Sequence, residues 1–486
     1  MKRRDLLHNG LLGLLAASAG PGLFLPRRAR AQAEAPIRAC APTDLPRTVV
    51  NVMLQGGADF RFLFMPAPSH PDPLLLDRLW AARRGLYDAA YPDYETMFEA
   101  EYLPVTDPRD GPAFGIARSA AWLHGEFAAG NVAVVANAVC SRNRRHDQSI
   151  LNADAGVPDL EVLNFDRDGW GGRLVEAIGA DANAVELGSS VSVFSKGSEA
   201  GARLRQVVHA EDLRDMALAG VDPDTSPGSR RNVLARALNA WYEGRSEALL
   251  AERPADWVYR PFLEHRAALE AFGQAVNERL EACGPLPEPL QGLTLANADF
   301  AQQCRNLFDA CLAPEVLRQR VMSMSYGGWD SHDNQYAEIS ANVADLFGAE
   351  GGFATVLPLI RDLPGATAAP ADRLLFTFAS DFGRQLRANG TAGTDHGSGT
   401  YTLLVGAPVR GGVYGELFPA REARPDEDGL VPLETEGADI RGLTSTERIG
   451  AAVCDWCDEG AGERVFPGAS GAPVEAPGLL DGLLPT

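Results

Sequence analysis

The chain has 486 residues, 45% hydrophobic and 22% charged, which is ordinary globular composition and argues against wholesale disorder. At roughly 100–200 residues per domain, this length fits two or three domains or one large α/β domain with insertions. A net charge of −21 without a Lys/Arg-rich run in the body argues against non-specific nucleic-acid binding, which needs a basic surface to displace counterions. Only Lys2 and Lys196 are lysines, and neither lies in a Gly-rich loop. With no G-x-S-x-G and no H-E-x-x-H, the P-loop, nucleophile-elbow and zincin readings also lose support.

Residues 1–33 read as an export signal. Lys2-Arg3-Arg4-Asp5-Leu6-Leu7 is followed by an apolar stretch over residues 10–25, then Arg27, Arg28, Arg30 and the small-residue end Ala31-Gln32-Ala33. Sixteen residues fall short of the ~20 needed to cross a bilayer. The Arg3-Arg4 pair ahead of Leu6-Leu7 resembles a twin-arginine signal, with an ordinary Sec signal or an uncleaved anchor as the plainer readings. The expected partner during export is the twin-arginine translocase, which carries folded proteins, so a metal could be loaded beforehand. Removing residues 1–33 takes away six basic residues and one acid and leaves a charge of −26, suited to a periplasmic or secreted protein and repelled by anionic lipid. No stable membrane insertion of the mature chain is expected.

Five apolar, β-branched runs follow, at residues 48–54, 132–140, 320–325, 374–379 and 400–405. Between them the pattern is helical, notably at 231–242, 266–283, 300–312 and 337–347. Strands separated by helices predict a largely parallel sheet covered on both faces, with its ligand site at the carboxyl ends of the strands. Those ends carry Asp59, Asp330, His332 and Asp381, and Asp395 and His396 sit on a loop able to fold over the same edge. Carboxylates with imidazoles form the ligand set of Zn²⁺ or Mn²⁺ sites, whereas each acid taken alone reads as a helix or turn cap. The second run ends at Ser141-Arg142-Asn143-Arg144-Arg145-His146. Its arginines either clamp an anionic oxygen or form a solvated helix start.

Other residues read as structural. His70, His124, His209 and His265 lack a partner motif, and Trp170 and Trp329 adjoin glycines as packing residues. Seven cysteines is an odd number, and Cys454-Asp455-Trp456-Cys457 is the best local candidate for a bridge. Cys304 and Cys311 are seven residues apart on one helix, roughly 10 Å, too far to bond each other. The expected organisation is a leader at 1–33, one α/β domain at 45–467 with a helical insertion at about 205–313, and a flexible tail at 468–486.

Three pieces together are similar to a known family: Gln55-Gly56-Gly57-Ala58-Asp59; Gly327-Gly328-Trp329-Asp330-Ser331-His332; and Ser380-Asp381-Phe382-Gly383-Arg384 leading to Gly393-Thr394-Asp395-His396-Gly397. They resemble the exported family with domain of unknown function 1501, of the alkaline-phosphatase/sulfatase-like superfamily, over roughly residues 48–467. The resemblance implies a three-layer α/β/α fold with a mostly parallel sheet and a metal cluster at one sheet edge. It implies a divalent ion (Zn, Mn or Ca) held by Asp59, Asp330, His332, Asp381, Asp395 and His396. A histidine expected at position 382 is replaced by Phe382, leaving Asp395 or His146 as substitutes, or a single metal. A serine expected directly before His146 is replaced by Arg145, so Ser141, His146 and Arg145 are the candidate catalytic residues. The implied activity is hydrolysis of a small anionic phosphate or sulfate ester, by Ser141 or by hydroxide generated at the metal. The alternative is a degenerate member that binds or scaffolds a partner.

Overall fold

The computed structural model describes residues 44–485, apart from 89, 110, 180, 199–206, 366–367 and most of 217–259. The leader at 1–33 lies outside these residues, as does most of the helix expected at 231–242.

The chain is a mixed α/β protein around a nine-stranded sheet. In chain order its strands are β1 (Thr48–Leu54), β2 (Val132–Val139), β3 (Asn183–Glu186), β4 (Val207–His209), β5 (Gln319–Tyr326), β6 (Leu374–Ser380), β7 (Thr400–Val405), β8 (Gly412–Tyr414) and β9 (Thr444–Ser445). The spatial order is β8-β2-β7-β6-β1-β5-β3-β4, with β9 also pairing β2. β1 runs parallel to β5 and β6, and β3 and β4 continue the same direction. Only β7 is reversed, antiparallel to both β2 and β6. All five runs read from sequence are strands, with ends displaced by at most one residue. The short strands β3 and β4 and the reversal of β7 were not read.

Every residue of β1 and β2 is buried, because helices cover both sheet faces. Val50, Val52, Met322, Met324, Phe376 and Phe378 pack on one face against the helices Ala298–Leu312, Gln335–Phe347 and Gly352–Arg361. Phe353 meets Phe376 and Phe378 edge-on, at 5.4 and 5.2 Å between centroids. Val49, Val321, Leu375 and Leu404 pack on the other face against Trp170–Ile178 and Thr446–Cys457. Residues 335–361 are apolar enough to pass for a membrane span, but they form two helices buried in this core.

Two expectations change. Cys454 and Cys457 are separate free thiols on the continuous helix Thr446–Cys457, each buried among apolar neighbours, and burial pushes both thiols up. The bridge involves Cys283 instead, and its partner lies outside the described residues. Cys304 and Cys311 are free, consistent with the helix spacing that keeps them from bonding each other. The end of the chain, expected to be flexible, is largely exposed over residues 468–485 but tied to the domain at a few points. Leu483 is buried, its carbonyl accepts from the Arg410 amide at 2.9 Å, and the Glu475 carboxylate accepts from Asn137 at 3.0 Å.

Candidate metal centre

Because β1, β2, β5 and β6 are parallel, their carboxyl ends meet at one edge, and four loops converge there. β2 leads into the helix His146–Ala155, which places His146 at its first turn. β5 leads into Asp330 and His332. β6 ends directly before Asp381, and His396 lies on the loop that enters β7.

At the centre is the Asp330 carboxylate. Its Oδ1 lies 3.0 Å from His396 Nε2 and 3.1 Å from His332 Nε2, and its Oδ2 lies 3.3 Å from His146 Nε2. The Nε2 atoms of His332 and His396 are 2.9 Å apart. His146, Asp330 and His396 each offer one ligand atom, all within 4.8 Å of one another.

The opposite ring nitrogens are each held by an acceptor. His146 Nδ1 faces Asp381 Oδ2 at 2.8 Å, His332 Nδ1 faces Asp395 Oδ1 at 2.9 Å, and His396 Nδ1 faces the Arg144 carbonyl at 2.9 Å. All three partners are acceptors, so each Nδ1 carries the proton. In a neutral ring the Nε2 is then a bare lone pair, and three such lone pairs point at one carboxylate. His146 Nε2 is buried with no hydrogen-bond partner. Fixing Nδ1 by a carboxylate or carbonyl is how metal-binding imidazoles are oriented and made more basic. The hydrogen bond that His146 donates to Asp381 raises the imidazole, against burial, and the charges of Asp381 and Asp330 add to it. Burial pushes the Asp330 carboxyl up, but the hydrogen bond from Arg384, the contact with His396 and the Arg384 charge outweigh it and hold the group at about 2.

Asp381 is fully buried and committed on both oxygens. Its Oδ1 accepts the amides of Gly56 at 3.1 Å and Gly57 at 2.6 Å, and Oδ2 holds His146. Two consecutive amides reach one oxygen because Gly56 and Gly57 have φ of +120° and +79°. A Cβ on Gly56 would lie 2.5 Å from the Asp330 amide nitrogen, and one on Gly57 2.5 Å from the Phe382 ring. The Gly-Gly pair thus lets β1, Asp330 and Phe382 close together. Phe382, where a histidine was expected, packs its ring 4.7 Å from His146 and 4.5 Å from His396.

The remaining candidates lie apart from the Nε2 cluster. Asp59 caps the short helix Phe60–Leu63, pairs with buried Arg83 and accepts from Gln335 Nε2 at 2.7 Å. Asp395 contacts the cluster only through His332 Nδ1 and also accepts from Asn389 at 3.3 Å. Ser141 is buried with its Oγ inside the local turn, donating to the Asn143 carbonyl and accepting from Asn152 at 3.0 Å. Arg145 is exposed beside His146, paired with Asp147 at 2.8 Å, and Arg144 pairs with Asp439 at 2.7 Å. The rings of His70, His124 and His209 each hydrogen-bond the backbone, the side chain of His265 is outside the described residues, and Trp170 and Trp329 are buried packing residues.

One residue went unread. Arg384 is buried and donates to the Gly57 and Thr394 carbonyls at 2.7 and 2.9 Å and to Asp330 Oδ1 at 2.8 Å, tying three of the four loops together. The available signal was no more than an arginine three residues past Asp381 in a Gly-containing turn.

Residues 279–426 match the model of a family described as a protein of unknown function (DUF1501). This supports the DUF1501 resemblance on the segment that carries Asp330, His332, Asp381, Asp395 and His396, while His146 lies outside the match. No curated protein matches the chain.

Proposed function

We propose that the protein is an exported, single-metal hydrolase of small phosphate or sulfate esters on an alkaline-phosphatase-like three-layer fold. The observation that carries this reading is the convergence of His146, Asp330 and His396, with the Nδ1 of each ring locked by an acceptor. Two nitrogens and one carboxylate oxygen are a donor set for Zn²⁺ or Mn²⁺ that leaves coordination positions open. A divalent ion there would polarise a phosphoryl or sulfuryl oxygen and acidify water.

The chain's own residues divide the rest of the work. Asp381 and the Arg144 carbonyl fix the tautomers of His146 and His396. Arg384 holds Asp330 in place. His332, backed by Asp395 as in a carboxylate–imidazole dyad, has its Nε2 at the cluster and takes a proton from the attacking water. Arg145 is held only by an exposed, solvent-screened ion pair, and so is free to turn to an anionic substrate oxygen. Ser141 is not assigned the attack, because its hydroxyl is engaged inside the turn.

That engagement of Ser141 also favours a second reading, a degenerate member that holds the ion without turning over an ester. Assay of the mature protein on generic phosphate and sulfate monoesters separates the two. The hydrolase reading predicts turnover that falls by about 10²–10⁴-fold in His332→Ala while bound metal is retained. Bound metal without turnover on any monoester would leave the degenerate reading.

A further inference from the structure

His396 differs from the other two imidazoles of the centre in what holds its Nδ1. His146 and His332 are each backed by a carboxylate, whereas His396 is backed by a backbone carbonyl, that of Arg144 at 2.9 Å. Arg144 lies in the irregular stretch between β2 and the helix His146–Ala155, so neither a sheet ladder nor a helix sets the direction of that carbonyl.

The Arg144 side chain supplies an anchor. Asp439 Oδ2 accepts from Arg144 Nη2 at 2.7 Å, and the same oxygen accepts the amide and the hydroxyl of Ser398, both at 2.6 Å. Ser398 stands two residues after His396. The contacts therefore close a ring: His396 to the Arg144 carbonyl, the Arg144 guanidinium to Asp439, Asp439 to Ser398, and back along the chain to His396. Asp439 is itself fixed from both sides. The Leu386 amide donates to the Ala438 carbonyl at 2.9 Å, the Gly399 amide donates to the Ile440 carbonyl at 3.1 Å, and Gln385 forms a β-bridge with Asp439. A Cβ on Gly397 would lie 2.8 Å from the Asp439 Cβ, so this glycine admits the acid to the back of the His396 loop. An ion pair near the surface adds little to folding stability. Three donors on one carboxylate oxygen, one of them charged, instead fix geometry.

We propose that Asp439 is a positioning residue of the metal centre. By holding Arg144 and Ser398 together, it keeps the Arg144 carbonyl on His396 Nδ1, so that the ring presents Nε2 to the ion. The role at the ion rests on the metal reading above, whereas the hold on Nδ1 needs no ion. Asp439 lies beyond the residues that match the family, 279–426.

The test uses the full mature chain with isotope-labelled histidine and reads the Nδ1 proton of His396 by NMR, assigned by its loss in His396→Gln. In the metal-free wild type the Arg144 carbonyl protects this proton from water, and it gives a resolved downfield resonance. In Asp439→Ala the resonance is lost to fast solvent exchange. Zn²⁺ affinity in chelator competition falls about 10-fold, as for other groups that orient metal-binding imidazoles. Asp439→Asn, which keeps the shape and one acceptor oxygen, falls between the two. Arg144→Ala cuts the same ring at a partly exposed side chain, keeps the backbone carbonyl, and gives the same losses even if Asp439→Ala does not fold. A Nδ1 proton as protected as in wild type, or wild-type Zn²⁺ affinity, in either folded variant would overturn the proposal. Lower thermal stability with both readouts unchanged means a purely structural acid and overturns it as well. If the wild type binds no Zn²⁺, the metal reading fails while the Nδ1 proton still decides whether Asp439 positions His396.

Discussion

At the scale of single residues, chemical type and role separate only once contacts are known. Asp59, Asp330, Asp381 and Asp395 look alike in sequence, each an acid in a loop at or near a strand end. Asp330 sits among the Nε2 atoms, Asp381 and Asp395 stand behind imidazoles, and Asp59 pairs with Arg83. No residue-type or spacing argument distinguishes a ligand from the carboxylate behind a ligand, because both are acids within a few ångströms of a histidine. Two substitutions tell them apart. Asp381→Asn removes the charge behind His146 but not its bulk, and metal affinity should drop about 10–100-fold by equilibrium dialysis while one ion still binds at saturation. Asp59→Asn should instead leave metal content unchanged. It leaves Arg83 as an uncompensated buried charge, and chemical denaturation should show a loss of about 3–5 kcal/mol.

Among the elements, what was legible followed from periodicity. The five apolar runs are strands because both sheet faces are covered, which makes the runs continuous rather than alternating. β3 and β4, with four and three residues at one side of the sheet, are too short to show a period. The reversal of β7 depends on how residues 383–399 double back, through the antiparallel pairing of Gly383–Arg384 with His396–Gly397, and no hydrophobic pattern records it. The Cys454–Cys457 bridge failed because sequence proximity says nothing about two side chains on one helix turning into separate packing niches. The turn after β1 shows how an element builds the site. Gly57→Ala would press a Cβ against the Phe382 ring from a residue with φ of +79°. A destabilisation of about 1–3 kcal/mol is expected, with weaker metal binding because the Asp381–His146 contact is displaced. Wild-type stability and affinity in this variant would contradict the packing account.

For the whole molecule, a mostly parallel sheet gathers four loops at one edge, and residues as distant in the chain as His146 and His396 come within 4.6 Å between ring centroids. That edge was predictable from the order of strands and helices; His146 was named as a candidate catalytic residue and, for the metal, as a substitute for the histidine missing at position 382. Everything chemical in this account depends on a cation resting among the Nε2 atoms of His146 and His396 and the Asp330 carboxylate. The most direct measurement is metal analysis of the mature protein, purified without chelator and then exposed to Zn²⁺ or Mn²⁺, compared with Asp330→Ala. The account predicts one tightly held ion per chain in the wild type and its loss in the variant. Folded wild-type protein that retains no ion under these conditions, or an Asp330→Ala variant that binds it equally well, would contradict it.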